Sequence, residues 1–268
     1  MCAYAAASDD RSTTTARMSP GRARGSGARK AKAVSRTLVL VHTVPPLVAA
    51  FTEWSREILP DVRLLHVLDE PILERIRRRG ARSPEDDERL AGHIALAEDI
   101  GADAVLVTCS TVSLAVAAVR SRFTVPIVAI DDALAREAVG RGGRIALVAT
   151  NITTIEPSTR LLLDVARAAG RSVEVRSRLV DGALQLLLDG DSTGHDRLVE
   201  AAVREAAADS DVVVLAQATM TRVLSAMAGR TAPVPVLASP LLALREVRRI
   251  LDAGDPTLAS PDGDDATR

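Results

Sequence analysis

Aromatic residues are scarce in this chain of 268 residues, which has one Trp, one Tyr and two Phe. Proteins that stack on nucleobases or flavins rely on aromatic rings, so binding of that kind is poorly supported. No apolar run reaches the roughly 18 residues that a membrane-spanning helix needs. Residues 1–36 also lack the apolar core of a secretory signal. We therefore expect a soluble, cytoplasmic protein that does not contact a membrane.

Cysteine and histidine are also sparse. The chain has two cysteines, Cys2 and Cys109, and one of them lies in the N-terminal segment, so a disulfide framework is not indicated. The four histidines show no metal-ligand spacing with cysteine or with one another. Neither a Walker pattern nor a G-x-G-x-x-G pattern is present. These absences predict a protein without a metal, a nucleotide or any other cofactor.

The net charge is close to zero at -1, but it is unevenly distributed. Residues 1–36 carry eight Arg and Lys against two Asp, a charge of +6, which leaves -7 for the rest. A basic segment of this kind can touch nucleic acid or anionic lipid, but the acidic remainder argues against a nucleic-acid-binding protein. We expect a disordered basic leader at 1–36, a disordered tail at 253–268 and no nucleic-acid partner.

Short runs of Val, Leu, Ile and Ala alternate with helix-length segments between residues 37 and 252. This alternation predicts parallel sheets that are covered by helices on both faces. The chain also contains an internal repeat of spacing. Ser110 lies 67 residues after Thr43, and Gln217 lies 67 residues after Thr150. Each of these residues comes directly after or near the end of a predicted strand, so two similar halves are indicated.

The expected fold class is therefore α/β, with two pseudo-symmetric lobes and a cleft between them. Each lobe is expected to be a short parallel sheet flanked by helices. Lobe one is predicted to comprise residues 37–133 and 238–252, because the last helix is expected to return to it. Lobe two is predicted to comprise residues 134–237.

The segment Ala104–Val112 is the most informative part of the sequence. Its apolar run ends at Thr108 and Cys109, and a helix-length segment follows. A cysteine between a strand and a helix start meets unpaired backbone N–H groups and the positive end of the helix dipole, which both favour the thiolate. Between residues 37 and 252 Cys109 is the only cysteine. The alternative is a small buried hydrophobic residue, which is a common state for free cysteine.

Small polar residues follow four of the predicted strands. Ligands of parallel α/β sheets bind beyond the carboxyl ends of the strands, where hydroxyls, amides and helix N-termini suit a small carboxylate. Serine and threonine at such positions also cap helices, so both roles stay open. Asp131, before a predicted helix, is first interpreted as an N-cap, with a substrate-facing role at the hinge as the alternative. His42, at the end of a predicted strand, is interpreted as a satisfied, partly buried histidine rather than as a base. The candidate ligand-binding residues are Thr43, Ser110, Thr111, Thr150, Asn151, Thr153, Gln217 and Thr219.

Together, the segments Ala104–Val112, Leu147–Thr154 and Val213–Met220 resemble the aspartate/glutamate racemase superfamily, which includes hydantoin racemases, maleate isomerases and arylmalonate decarboxylases. The resemblance covers roughly residues 37–252. It implies two α/β lobes and a cofactor-independent reaction in which two cysteines, one from each lobe, flank the substrate Cα. The first cysteine corresponds to Cys109. Gln217 stands where the second belongs, and an amide neither gains nor loses a proton near neutral pH, although it can donate a hydrogen bond to an oxyanion.

The resemblance thus implies a racemase or isomerase of amino-acid metabolism that acts on a small amino-acid-like or dicarboxylate substrate. Its single cysteine, Cys109, would act as a thiolate acid/base or as a nucleophile. A non-catalytic protein that binds small carboxylates is one alternative. A single-cysteine lyase or decarboxylase is another, although the decarboxylase relatives keep the cysteine of the second lobe. Relatives are often dimers or larger, so a homo-oligomer also stays open.

Overall fold

Two parallel sheets of four strands form the framework of the protein, for which the computed structural model describes residues 36–227 and 233–254. The predicted leader and tail lie outside this range, apart from Arg36, Ala253 and Gly254. The strands of the first sheet are β1 (Thr37–His42), β2 (Arg63–Leu68), β3 (Ala104–Val107) and β4 (Ile127–Ala129). Those of the second are β5 (Arg144–Ala149), β6 (Glu174–Leu179), β7 (Val212–Leu215) and β8 (Val236–Ala238).

Within the described residues, ten α-helices and two short 3₁₀ helices connect and cover the strands. The 3₁₀ helices are Arg120–Arg122 and Ala218–Thr221. The α-helices are α1 (Pro46–Ile58), α2 (Glu70–Arg79), α3 (Pro84–Asp99), α4 (Ser110–Val119), α5 (Asp132–Arg141), α6 (Ile152–Ala168), α7 (Ala183–Leu188), α8 (Ser192–Ala207), α9 (Arg222–Ala226) and α10 (Ser239–Ala253). None of the helices in these ranges is long and apolar enough to span a bilayer.

The strand order shows the internal repeat directly. The first sheet is ordered β2-β1-β3-β4 and the second β6-β5-β7-β8, so each half builds the same arrangement from its own four strands. The inner strands β3 and β7 are wholly buried, and their apolar runs are typical of parallel strands with both faces covered. The edge strand β6 is mostly exposed and carries Arg176 and Arg178, charges that discourage pairing with another chain.

Each face of the first sheet has its own apolar core. Leu38 and Leu40 of β1 pack with Phe51 of α1 and with Leu244 and Val247 of α10. The last helix therefore covers the first sheet, and it does so through residues spaced along one of its faces. Each fully buried side chain of this type contributes about 1.5–3 kcal/mol to folding relative to an exposed one. On the other face, helices α2, α3 and α4 supply the partners of β1 and β3.

Local sequence signals fix where α2 and α3 begin and end. The Asp69 side chain accepts a hydrogen bond of 3.2 Å from the Ile72 backbone N–H at the start of α2. Gly80, with a φ of 77°, takes the left-handed conformation that ends it. Ser83 and Asp86 form a capping box at the start of α3. Helix α2 is therefore held at both ends, which matters because it borders the site described below.

Candidate active site

A cavity of about 60 Å³ lies where the carboxyl ends of strands from both sheets meet. The sequence-predicted residues that line it are Thr43, Cys109, Ser110, Thr111, Asn151, Gln217 and Thr219. The lining residues that sequence reasoning missed are Val44, Leu47, Leu73, Thr108, Thr154, Leu184 and Ala218. None of these residues, all in the described part of the chain, has a side chain with a full charge at neutral pH.

A wider groove of about 620 Å³ lies next to this cavity and shares Thr43, Val44 and Leu73 with it. Unlike the neutral cavity, the groove is charged, because α2 contributes acidic and basic side chains to the wall of the groove. These side chains are Glu70, Glu74, Arg75 and Arg77. A charged groove and a small neutral chamber therefore lie side by side.

The structure places two predicted residues, Thr150 and Thr153, beside the cavity rather than on its wall. The Thr150 backbone N–H donates a hydrogen bond of 2.9 Å to Oε1 of Gln217. The Thr153 backbone N–H donates one of 3.2 Å to Oδ1 of Asn151, the N-cap of α6. Through their backbones these two threonines hold lining residues in place.

The Thr150 contact fixes which end of the Gln217 amide faces a ligand. A backbone N–H can only donate, so the amide oxygen of Gln217 must face Thr150. The amide nitrogen, with two protons, is then the group that Gln217 can offer to the cavity. Gln217 is therefore positioned as a hydrogen-bond donor, which suits a carboxylate or carbonyl oxygen.

Unpartnered hydroxyls surround the same cavity. Oγ1 of Thr43 and of Thr154 are buried without a hydrogen-bond partner of ordinary geometry among the described residues, and both residues line the cavity. Oγ1 of Thr150 and of Thr153, directly beside it, are in the same state. An unsatisfied buried hydroxyl costs about 1–3 kcal/mol. A bound ligand with oxygen or nitrogen atoms would recover part of this cost.

Cys109 occupies the N-cap position of α4 and lies on the cavity wall. Its exposed fraction is 9%, and it packs in an apolar cluster with Val112 and Val116 of its own helix. Across the cavity, α6 of the second half begins directly after Asn151. Two helix N-termini, one from each half, thus border the chamber, and each favours an anion through its free N–H groups and its dipole.

A model of the Asp/Glu/Hydantoin racemase family matches residues 43–247. The chain belongs to this racemase family. Solved structures of racemases share its fold, at low sequence identity. Glutamate racemase RacE1 from Bacillus anthracis is 18% identical with a TM-score of 0.63, over 81% of this chain and 82% of that one. The Thermus thermophilus glutamate racemase, solved with beta-chloro-D-alanine, is 21% identical with a TM-score of 0.62, over 85% and 84%.

Allantoin racemase from Klebsiella pneumoniae is similar to the same extent, with 18% identity and a TM-score of 0.61 over 87% of this chain and 97% of that one. No curated protein matches the chain in sequence. The structural matches confirm the expected α/β fold with its two four-stranded parallel sheets. At these identities they are evidence for the racemase fold alone.

In this member of the racemase family, the surroundings of the cysteine act on balance against the thiolate that the sequence leads us to expect, and the thiolate stays a prediction. Burial raises the pKa of the Cys109 thiol, and this effect exceeds all others. The Thr43 hydroxyl and the backbone N–H groups of Val112 and Thr111 act in the opposite direction, while the nearby Asp131 raises the pKa further. The helix N-terminus that the sequence revealed is present, but it does not compensate for the loss of water around the sulfur.

Asp131 is a site-associated residue whose role the sequence did not reveal. It precedes α5, but its side chain makes no capping hydrogen bond there. The carboxylate instead accepts hydrogen bonds from the Ser110 hydroxyl at 3.0 Å and the Ser113 hydroxyl at 3.1 Å. Its exposed fraction is 5%, and burial raises its pKa to about 7. The serines that follow Cys109 are the only sequence signal for this contact.

His42 is a fully buried histidine with both ring nitrogens in contact. Nδ1 lies 2.8 Å from the Thr108 hydroxyl, and Nε2 lies 2.9 Å from Nδ1 of His66. Burial, with a smaller contribution from His66, lowers the pKa of His42 to about 3. The ring is therefore neutral at physiological pH and does not line the cavity. No group of three or more His, Cys, Asp or Glu within residues 36–227 and 233–254 could hold a metal ion.

Proposed function

We propose that this racemase-family protein is a cofactor-independent racemase or isomerase that uses Cys109 as its single cysteine. The observation that carries the proposal is the position of this thiol on the wall of a chamber with hydrogen-bond donors from both halves. Gln217, the Thr43 and Thr154 hydroxyls and two helix N-termini would hold the substrate carboxylate. The substrate Cα would then lie against the sulfur.

The neutral lining supports a substrate with one carboxylate. Among the described residues no lysine, arginine or histidine borders the chamber, so each donor that these residues offer to an anion is a neutral hydroxyl, amide or backbone N–H. One carboxylate can be satisfied by several such donors. A second carboxylate would lose its water without gaining a cation, which is costly in a buried site. Between the two expected substrate classes, an amino-acid-like molecule is thus favoured over a dicarboxylate.

The amide of Gln217 supports a role in stabilising charge. Removal of the Cα proton leaves an enolate whose oxygen becomes more negative, and a fixed N–H donor favours that state. Gln217 cannot take or return a proton, so proton transfer on its side requires water or a hydroxyl such as that of Thr219. The proposed reaction is therefore asymmetric, with a thiol on one face of the substrate and neutral donors on the other.

Two alternatives find support in the raised pKa of Cys109. A thiol that keeps its proton suits a protein that binds small carboxylates without turnover. It also suits a decarboxylase or lyase, because such a reaction needs one delivered proton and no removed one. Both alternatives use the same chamber and the same donors. They differ from the main proposal in what happens to the bound molecule and not in how it is bound.

An activity screen without added cofactor distinguishes these functions. Single enantiomers of amino acids, hydantoins and small diacids are incubated with the protein, and the products are separated by chiral chromatography and NMR. Racemised or isomerised product that is absent with Cys109→Ser supports the proposal. Loss of CO2 or another fragment supports the lyase alternative. Binding without any product supports the binding protein and contradicts the proposed racemase or isomerase.

We also propose the lobe boundaries 37–133 with 238–252 for the first lobe and 134–237 for the second. The packing of α10 on the first sheet and of Leu134 and Ala138 with Leu147 of the second supports this division. The family assignment supports a cytoplasmic location. A homo-oligomer is proposed on the same basis, and size-exclusion chromatography with light scattering tests it.

A further inference from the structure

Asp131 and Cys109 lie at the same end of the same helix. Cys109 is the N-cap of α4, and the two hydroxyls that bond the Asp131 carboxylate belong to Ser110 and Ser113 at the start of that helix. Both acids are almost fully buried, with exposed fractions of 5% for Asp131 and 9% for Cys109. The proposed reaction assigns no role to the carboxylate.

The Ser113 hydroxyl lies between the Asp131 carboxylate and the backbone of Cys109 and can give its one proton to either. Its hydroxyl oxygen lies 3.1 Å from Oδ2 of Asp131 and 3.1 Å from the backbone oxygen of Cys109. A hydroxyl has one proton, so it can donate to only one of these acceptors at a time. An ionised Asp131 attracts this proton, and a neutral Asp131 leaves it to the backbone of Cys109. The charge of Asp131 is thus linked to the hydrogen bonding of the residue that bears the thiol.

In the described part of the chain, the positive charge next to the two acids comes from the N-terminus of α4 and not from a buried cation. The helix N-terminus is equivalent to about half a positive charge. Asp132, the other acid that acts on Asp131, is paired with Arg120 at 3.1 Å. A hole of about 10 Å³ beside Asp131 is lined on the α6 side by Ser158, Leu161 and Leu162 and on the β7 side by Val214 and Ala216, none of which titrates.

We infer that Asp131 and Cys109 form a coupled acid pair in which one negative charge, not two, is stable at the N-terminus of α4. Asp131 is then a positioning residue that sets the protonation state of Cys109. With Asp131 ionised, the thiol keeps its proton, and with Asp131 neutral, the thiolate forms more readily. The catalytic meaning of this pair depends on the proposed function, but the coupling itself does not.

The titration of the Cys109 thiol in the Asp131→Asn variant tests the coupling. The rate of alkylation by iodoacetamide is followed by mass spectrometry between pH 6 and pH 10, in a Cys2→Ser background. Asparagine keeps an oxygen for Ser110 and loses the charge. We expect the thiol pKa to fall by about one unit, which makes alkylation about tenfold faster at neutral pH. An unchanged or higher thiol pKa would overturn the inference.

Asp132→Asn is the matched control, because it removes the same charge one residue further along; since Asp132 raises the pKa of Asp131, its loss favours ionised Asp131 and the thiol pKa should not fall. An equal shift in both variants would mean that net charge, rather than the buried pair, is responsible. Ser113→Ala supplies a second test if Asp131→Asn does not fold. It removes a hydrogen bond that favours ionised Asp131, so the thiol pKa falls by a smaller amount, and a rise would contradict the pair. None of these measurements uses a substrate, so they stand apart from the activity screen.

Discussion

The backbone N–H of Thr150 and the side-chain oxygen of Gln217 are joined by a hydrogen bond of 2.9 Å between the ends of β5 and β7. This bond occupies the acceptor end of the amide and directs the donor end to the cavity. The family mechanism expected from the resemblance has a second cysteine here. We propose that Gln217 takes this position, where an oriented donor would have different consequences for binding and chemistry from a thiol.

Replacing Gln217 with glutamate tests the donor role. A glutamate oxygen accepts from Thr150 as the amide does, but a negatively charged oxygen replaces the donor that faces the ligand. We expect the affinity for a carboxylate ligand to fall at least about tenfold, since a hydrogen bond to a charged group contributes about 1.5–3 kcal/mol. Calorimetric titration measures this. Gln185→Glu, the same change at an exposed position of α7, is the control, and equal losses in both variants would exclude a direct contact.

Replacing Thr43 with valine separates stability from reactivity. Valine has the same shape and lacks the hydroxyl, which has no oxygen or nitrogen partner among the described residues, so the free energy of unfolding is expected to stay level or rise by about 1 kcal/mol. The hydroxyl lowers the pKa of Cys109, so its loss raises that pKa and slows alkylation at pH 8 several-fold. Thr43→Ser keeps the hydroxyl and should react like the wild type. Faster alkylation of the valine variant would show that access, not ionisation, controls the sulfur.

His42 makes the fold sensitive to acid. Its pKa is about 3 in the folded chain and 6.5 in the unfolded one, so the unfolded chain binds an extra proton between these values. Stability from this residue is complete above pH 6.5 and falls by up to about 1.4 kcal/mol per pH unit on acidification. In His42→Gln this contribution is lost, so stability should fall less steeply on acidification than in the wild type. Urea unfolding at pH 6.5, 5.5 and 4.5, followed by the fluorescence of Trp54, measures it, and an unchanged slope would refute the assignment.

Asp131 acts in the opposite direction. Its pKa of about 7 in the folded chain lies above the ordinary 3.8, so the folded chain holds a proton that the unfolded chain has released. Its contribution to stability is complete below pH 3.8 and falls as the pH rises to about 7. In the wild type, the stability gained from Asp131 on acidification partly offsets the stability lost from His42. Asp131→Asn lacks this offset, so acidification from pH 6.5 to 4.5 should destabilise the variant more steeply than the wild type. The same urea series decides this, and a shallower slope would contradict it.

The sequence predicts those parts of the molecule that depend on local pattern. The apolar run before Thr108 indicates β3, and the interval from Thr150 to Gln217 indicates the repeated strand order, because both follow from spacing along the chain. The raised pKa of Cys109 could not be predicted in this way. It depends on how tightly the first half closes around the sulfur, and that packing comes from contacts distant in sequence.

The same limit applies to residues whose partners are remote. Leu184 of α7 lines a chamber whose cysteine lies 75 residues earlier, and no local pattern joins them. Asp131 carries the signature of a helix cap, and its actual partners lie about 20 residues before it. In both cases the residue type was visible in the sequence, and its role was decided by tertiary packing.

Deuterium incorporation at the substrate Cα is the measurement that tests the role of Cys109 most directly. The best substrate from the activity screen is incubated in D2O with the wild type and with Cys109→Ala, and the loss of the Cα proton signal is followed by NMR. The account predicts exchange with the wild type and a rate at least about a hundredfold lower without the thiol. Exchange at the same rate in Cys109→Ala would contradict it, because the proton would then be removed by another group.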